Sequence, residues 1–270
     1  MKKILFACLM AFIWMNSQAQ FFGIESERLN SVFAALMKIP QDNAVMILQS
    51  TMNALSNDTK AYRRAAQLIE RFGNPADSIH NEVLYYNGMK ILANSLVLSN
   101  SERERPKLLL NIARKNNLGN IATDIEYATP DGKSHNLLES DKIKLVFFND
   151  LNCDACSRTK AAMAQSKVLT NMVENGTLQI ISIYTGDNQK AWKNADLPAW
   201  MVNGWDKKQQ VENDEAYVLV TTPLFYLLNS DNTVLIKNEP SLKRIEKVLE
   251  VVASNVDIDS KILVKKLFNE

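Results

Sequence analysis

Cys153-Asp154-Ala155-Cys156 is where this sequence concentrates its chemistry. Two thiols three residues apart lie on one face of a helix, close enough to close a disulfide across a single turn. At a helix start, unpaired N–H groups and the positive end of the dipole stabilise a thiolate. Cys153 is therefore the expected nucleophile and Cys156 the resolving thiol. Asp154 works against the thiolate, and Arg158 and Lys160 offset part of that opposition.

Three duller uses of the pair compete. A structural bridge over a loop of about four residues would contribute only about 2 kcal/mol, against about 4.7 for a hundred-residue loop. A zinc half-site needs two more ligands, and the only histidines are His80 and His135, far apart in sequence. Two reduced structural thiols would be out of place in an oxidising compartment. A redox-active dithiol is the expected use, with an inert local bridge as its alternative. No metal and no cofactor are expected.

The compartment is read from the start of the chain. Lys2 and Lys3 precede an unbroken apolar run, Ile4 to Met15, and Ser17-Gln18-Ala19 offers small residues at cleavage positions. This predicts a secretory signal peptide over 1–19, cleaved after Ala19. The run is too short to span a bilayer, which needs about 20 apolar residues, so no stable membrane span is expected. Leu5-Phe6-Ala7-Cys8 resembles a lipoprotein box, but too little apolar sequence precedes Cys8 for that use. The expected location is the periplasm or cell envelope.

Composition narrows the classes further. The 270 residues are 46% hydrophobic and 23% charged, which excludes fully disordered and multi-span membrane chains. With 31 basic and 30 acidic residues there is no electrostatic footprint for nucleic acid.

Two textures surround the dithiol. Residues 20–116 read as a helical domain. Apolar spacing marks helices through Val32 and Leu36, through Val45, Leu48 and Met52, and through Ala61, Ala65 and Leu68 after an Asn57-Asp58-Thr59 cap. Gly73 and Pro75 end the third, another is expected from Ile79 to Leu98, and a last from Ser101 to Ile112 with Pro106 in its first turn. A bundle packing on or beside another domain is expected, with substrate or partner binding as the sharper alternative.

Residues 117–270 form the second texture. Ile121 to Ala128 and Ser134 to Leu138 flank a Pro130-Asp131-Gly132-Lys133 turn, predicting a hairpin. Lys144 to Phe148 reads as a buried strand, 153–174 as one helix, and Leu178 to Tyr184 as a strand. Helical or irregular sequence is expected over Asp187 to Asp214. Tyr217 to Val220 and Pro223 to Leu228 bracket a strand region, Thr233 to Lys237 is a further strand, and Ser241 to Val252 an amphipathic helix. The alternation predicts an α/β fold with a mixed sheet flanked by helices.

The hairpin, the strand, the C-x-x-C at a helix start, and Thr222-Pro223 ahead of a strand-turn-strand together resemble the thioredoxin fold. More narrowly, residues 117–252 are similar to exported thiol–disulfide oxidoreductases of the thioredoxin-like group, including those with an extra helical domain in front. The resemblance implies a cis Pro223 facing the dithiol and a Thr222 whose backbone groups hold a substrate segment as an added strand. Without the cysteines Pro223 would read simply as a strand-initial proline. The resemblance also implies protein thiols or disulfides as substrates and a redox partner protein.

Departures leave the direction of electron flow open. Asn152 replaces the aromatic residue often found before the first cysteine, Ala155 replaces the proline common inside the motif, and Phe147 or its apolar neighbours stand where a buried acid is sometimes found. Asp150 stands where peroxiredoxins carry a threonine. The competing function is a non-catalytic envelope binding module whose cysteines form an inert bridge. Trp200 and Trp205 are expected to cap the core, with an apolar rim for a peptide substrate as the alternative. The 255–270 tail is expected to pack.

Overall fold

The computed structural model describes residues 26–219, 221–254 and 262–263. The expected signal peptide and nearly all of the 255–270 tail lie outside them. Compact packing divides the chain between Arg114 and Lys115.

Among the described residues the first unit is built from five α-helices: α1 (Ser26–Leu36), α2 (Gln41–Ala54), α3 (Thr59–Arg71), α4 (Glu82–Ala93) and α5 (Asn100–Arg114). Their starts follow local hydrogen-bond chemistry. The Asp58 carboxylate accepts the Ala61 N–H at 2.9 Å to open α3. Asn81 Oδ1 accepts from Val83 and Leu84 to open α4. That cap starts α4 later than the apolar pattern suggested. At its other end Ser95 Oγ accepts from Val97 and Leu98, so the chain turns after Ala93.

α5 departs from expectation at Pro106, which lies inside the helix rather than in its first turn. A reciprocal capping box explains the earlier start: Ser99 Oγ accepts the Glu102 N–H, and Glu102 accepts the Ser99 N–H at 2.9 Å. The core of this unit is apolar, with Leu29, Leu48, Ile69, Phe72 and Leu84 buried, and Phe33 stacks on Phe72 at 5.6 Å. Gly88 lets α4 lie close against α3, because a Cβ there would collide with the Ile69 side chain.

The second unit holds a seven-stranded sheet ordered β2-β1-β5-β4-β3-β6-β7. The strands are β1 (Glu126–Ala128), β2 (Ser134–Asn136), β3 (Ile143–Asn149), β4 (Leu178–Tyr184), β5 (Met201–Trp205), β6 (Leu224–Leu228) and β7 (Val234–Glu239). β3, β4 and β5 run parallel, and every other pairing is antiparallel, giving the mixed sheet the sequence predicts. The β1–β2 turn closes through Gly132 at φ 87°, where a side chain would be strained. β3 is buried along its whole length, as its near-continuous apolar sequence requires of a central strand. Outside β7, the chain over 119–122 runs alongside: the Gly119 N–H donates to the Val234 carbonyl and the Val234 N–H to the Asn120 carbonyl.

Three expectations are corrected here. The predicted 153–174 helix is two, α6 (Asp154–Gln165) and α7 (Lys167–Glu174), broken at Ser166, which is extended at ψ 114° and caps α7 through the Leu169 N–H. The 187–214 stretch contains α8 (Gln189–Lys193) and α9 (Gln210–Asn213), but also β5, which sequence reading missed. Met-Val-Asn-Gly-Trp has no clean alternation, and pairing beside β4 decides its conformation. Tyr217 joins no strand; it packs against Phe148 and Tyr226 in the core. α10 (Leu242–Ala253) follows β7, capped by Ser241.

Candidate active site

The buried β3 ends at Asn149, a polar residue that is almost wholly enclosed. Its amide donates to Ser182 Oγ at 2.8 Å and to the Ile183 carbonyl at 3.3 Å, both on β4. This pins the end of the strand from which the cysteine segment departs. Asp150 then accepts the Asn152 N–H at 3.1 Å, tightening the turn into α6. An asparagine closing an apolar run was the only sequence signal for this anchor, and sequence reading did not single it out.

Cys153 is the N-cap of α6. Its sulfur accepts the Cys156 N–H at 3.0 Å, taking the place that a serine or aspartate oxygen holds at other helix starts. Cys153 is partly exposed, Cys156 is fully buried, and both are thiols. The sulfur of Cys153 also lies 3.8 Å from the Thr222 carbonyl oxygen. The Thr222–Pro223 peptide bond is cis, and Pro223 is buried at the start of β6. The four residues singled out in the sequence thus come together, although 69 positions separate Cys153 from Thr222.

The two sulfurs titrate apart. Burial pushes the Cys153 thiol up, but hydrogen bonds from the Cys156 thiol and amide, with Thr222 and the Ala155 amide adding, hold it below the ordinary cysteine value. Burial, and then the adjoining Cys153 sulfur, push Cys156 up to about 11, against a smaller opposing contribution from the Asp150 backbone. Hydrogen bonds, not Asp154, Arg158 or Lys160, set the direction at Cys153. Phe147, buried on β3, stacks on Phe225 at 5.1 Å and offers no proton acceptor.

A thioredoxin-like protein from Bacteroides caccae, known from its crystal structure, superposes with a TM-score of 0.78 at 26% identity, covering 84% of this chain and 83% of that one. The fold is thioredoxin-like. The C-terminal domain of an uncharacterized protein from Bacteroides fragilis matches at 29% identity and a TM-score of 0.48, covering 50% of this chain and 98% of that one. The thioredoxin domain of a thiol-disulfide oxidoreductase from Bacteroides vulgatus matches at 21% identity and a TM-score of 0.41, covering 49% and 98%. No protein-family model and no curated protein matches the chain.

In this thioredoxin-like unit the two singled-out tryptophans take different places. Trp205 on β5 packs against Trp192 at 5.1 Å and donates to the Gly186 carbonyl, so it caps the core. Trp200 precedes β5 and is half-buried. His135 bonds Glu139, and His80 bonds the Phe72 carbonyl. Among the described residues no group of His, Cys, Asp or Glu could hold a metal ion, and no helix is long and apolar enough to cross a membrane.

Proposed function

We propose that the chain is an exported thiol–disulfide oxidoreductase of the periplasm or cell envelope that acts on protein substrates through Cys153 and Cys156. The observation that carries this is the asymmetry of the pair. One sulfur is reachable and held toward the thiolate by the Cys156 amide, and the other is enclosed and held toward the thiol. Attack by the Cys153 thiolate on a substrate disulfide forms a mixed disulfide and expels one substrate thiolate, which takes a proton. Cys156 then loses its proton, attacks Cys153 Sγ and expels the second substrate thiolate. Two electrons have passed to the substrate, and the protein holds a Cys153–Cys156 disulfide. Every step is reversible, so the potential of the pair against its redox partner protein sets the direction. In this reading Thr222, whose carbonyl oxygen lies 3.8 Å from the Cys153 sulfur, and the adjoining Pro223 hold a substrate segment through backbone hydrogen bonds.

Cys156→Ser removes the resolving thiol and should accumulate mixed-disulfide adducts in cells that export the protein, whereas Cys153→Ser should give none. Absence of adducts, together with a pair that equilibrates with no glutathione buffer, would favour the binding-module reading with an inert bridge.

A further inference from the structure

A groove of about 580 Å³ runs beside α6, and the redox reading does not account for it. One wall is the face of α6 that carries Ser157, Ala161 and Ala164, all exposed. These positions continue the helical repeat that begins at Cys153, so the wall descends directly from the reactive sulfur. The small side chains leave room for a chain to approach. The other wall is Leu197, Pro198 and Trp200, three half-buried apolar residues. It is firmly held: the Ala195 N–H donates to the carbonyl of buried Trp192, and the Met201 N–H to that of Pro198 at 2.9 Å. Lys160 and Asp196 also line the groove, and among the described residues neither is engaged in an ion pair.

We propose that this groove seats the substrate polypeptide beyond its reactive cysteine and selects for a large apolar side chain in that stretch. The inference deepens the redox reading and rests on it. Ala161 lies about 12 Å along the helix from Cys153. An extended chain joined to the Cys153 sulfur covers that distance in about four residues. The preferred substrate therefore carries an aromatic or large aliphatic residue about four positions from its cysteine. That side chain lies against Trp200, Leu197 and Pro198, while Lys160 and Asp196 meet the carbonyl and N–H groups of the substrate backbone.

The test uses the full chain, reduced, with two peptides whose single cysteine is joined to glutathione. One peptide carries phenylalanine about four positions from the cysteine, the other glycine. In the exchange, the peptide–glutathione disulfide is reduced to two thiols and the protein dithiol is oxidised. Each peptide rate is divided by the same protein's rate with oxidised glutathione. The phenylalanine peptide should react about tenfold faster than the glycine peptide. Ala161→Arg, which fills the groove from an exposed helix face, and Trp200→Ala should both bring that preference close to one. Equal rates for the two peptides, or a preference that survives Ala161→Arg, would overturn the proposal. A chain dimer that Ala161→Arg breaks, seen by sedimentation, would assign the groove to a second copy and overturn it as well. If the unaltered protein fails to react even with oxidised glutathione, the redox reading itself falls, and this one with it.

Discussion

Cys153 does two jobs with one atom. As helix cap its sulfur satisfies the Cys156 N–H, and as the proposed nucleophile it would draw on that same bond to hold negative charge. Only the thiolate is alkylated, so the iodoacetamide rate of the reduced protein should rise with pH through the Cys153 pKa. Its midpoint should fall below the ordinary cysteine value; a midpoint above that value would refute the assignment. In Cys153→Ser, burial still holds the Cys156 thiol above the ordinary cysteine value, so its alkylation midpoint should lie at higher pH than that of Cys153 in the unaltered protein. Asn149 supports this arrangement from behind. Asn149→Ala leaves the enclosed Ser182 hydroxyl without its 2.8 Å donor and should cost about 1–3 kcal/mol in urea unfolding. The dithiol was legible because two cysteines at helical spacing are a dense local signal. Asn149 was not, because its role depends on a β4 neighbour 33 residues away in sequence.

At the scale of elements, helix ends and close approaches carry the structure. Ser166 separates α6 from α7 and bonds both the Leu169 N–H and Glu246 of α10. Ser166→Ala should therefore destabilise the fold by about 1 kcal/mol, read as a lower urea midpoint with an unchanged slope. Gly88→Ala forces a methyl group against Ile69 between α3 and α4 and should cost about 1–3 kcal/mol by the same measurement. An unchanged midpoint would show that the two helices part freely. Elements with strong local signatures were readable: β4 over Leu178–Tyr184 and the α3 start at Asp58 follow directly from their residues. Those set by distant neighbours were not. β5 exists because β4 offers it a ladder, and the 153–174 break is hidden because Ser166 is a mild helix former until its side chain is committed as a cap.

The whole molecule consists of two units with separate cores, one through the helices and one around Phe148, Ile181 and Tyr226. Urea should unfold them in two transitions, the later recovered in a fragment spanning 115–270; a single coincident transition would count against independent units. Where that fragment begins matters. Asn116 donates to the Ala216 carbonyl at 2.7 Å and accepts the Thr123 N–H at 2.6 Å, both in the second unit. A fragment beginning at residue 117 should therefore unfold at lower urea than one beginning at 115. The change of texture in the sequence places the division only to within a few residues, because nothing local reveals that Asn116 is tied to partners far along the chain. The margins of the sheet carry a different meaning. β2, at one edge, is three residues long, and at the other edge the chain over 119–122 occupies part of the backbone of β7. Under the proposed function, protein substrates with unpaired strands would seek such a template, and blunted margins would keep the chain from being drawn into their aggregates.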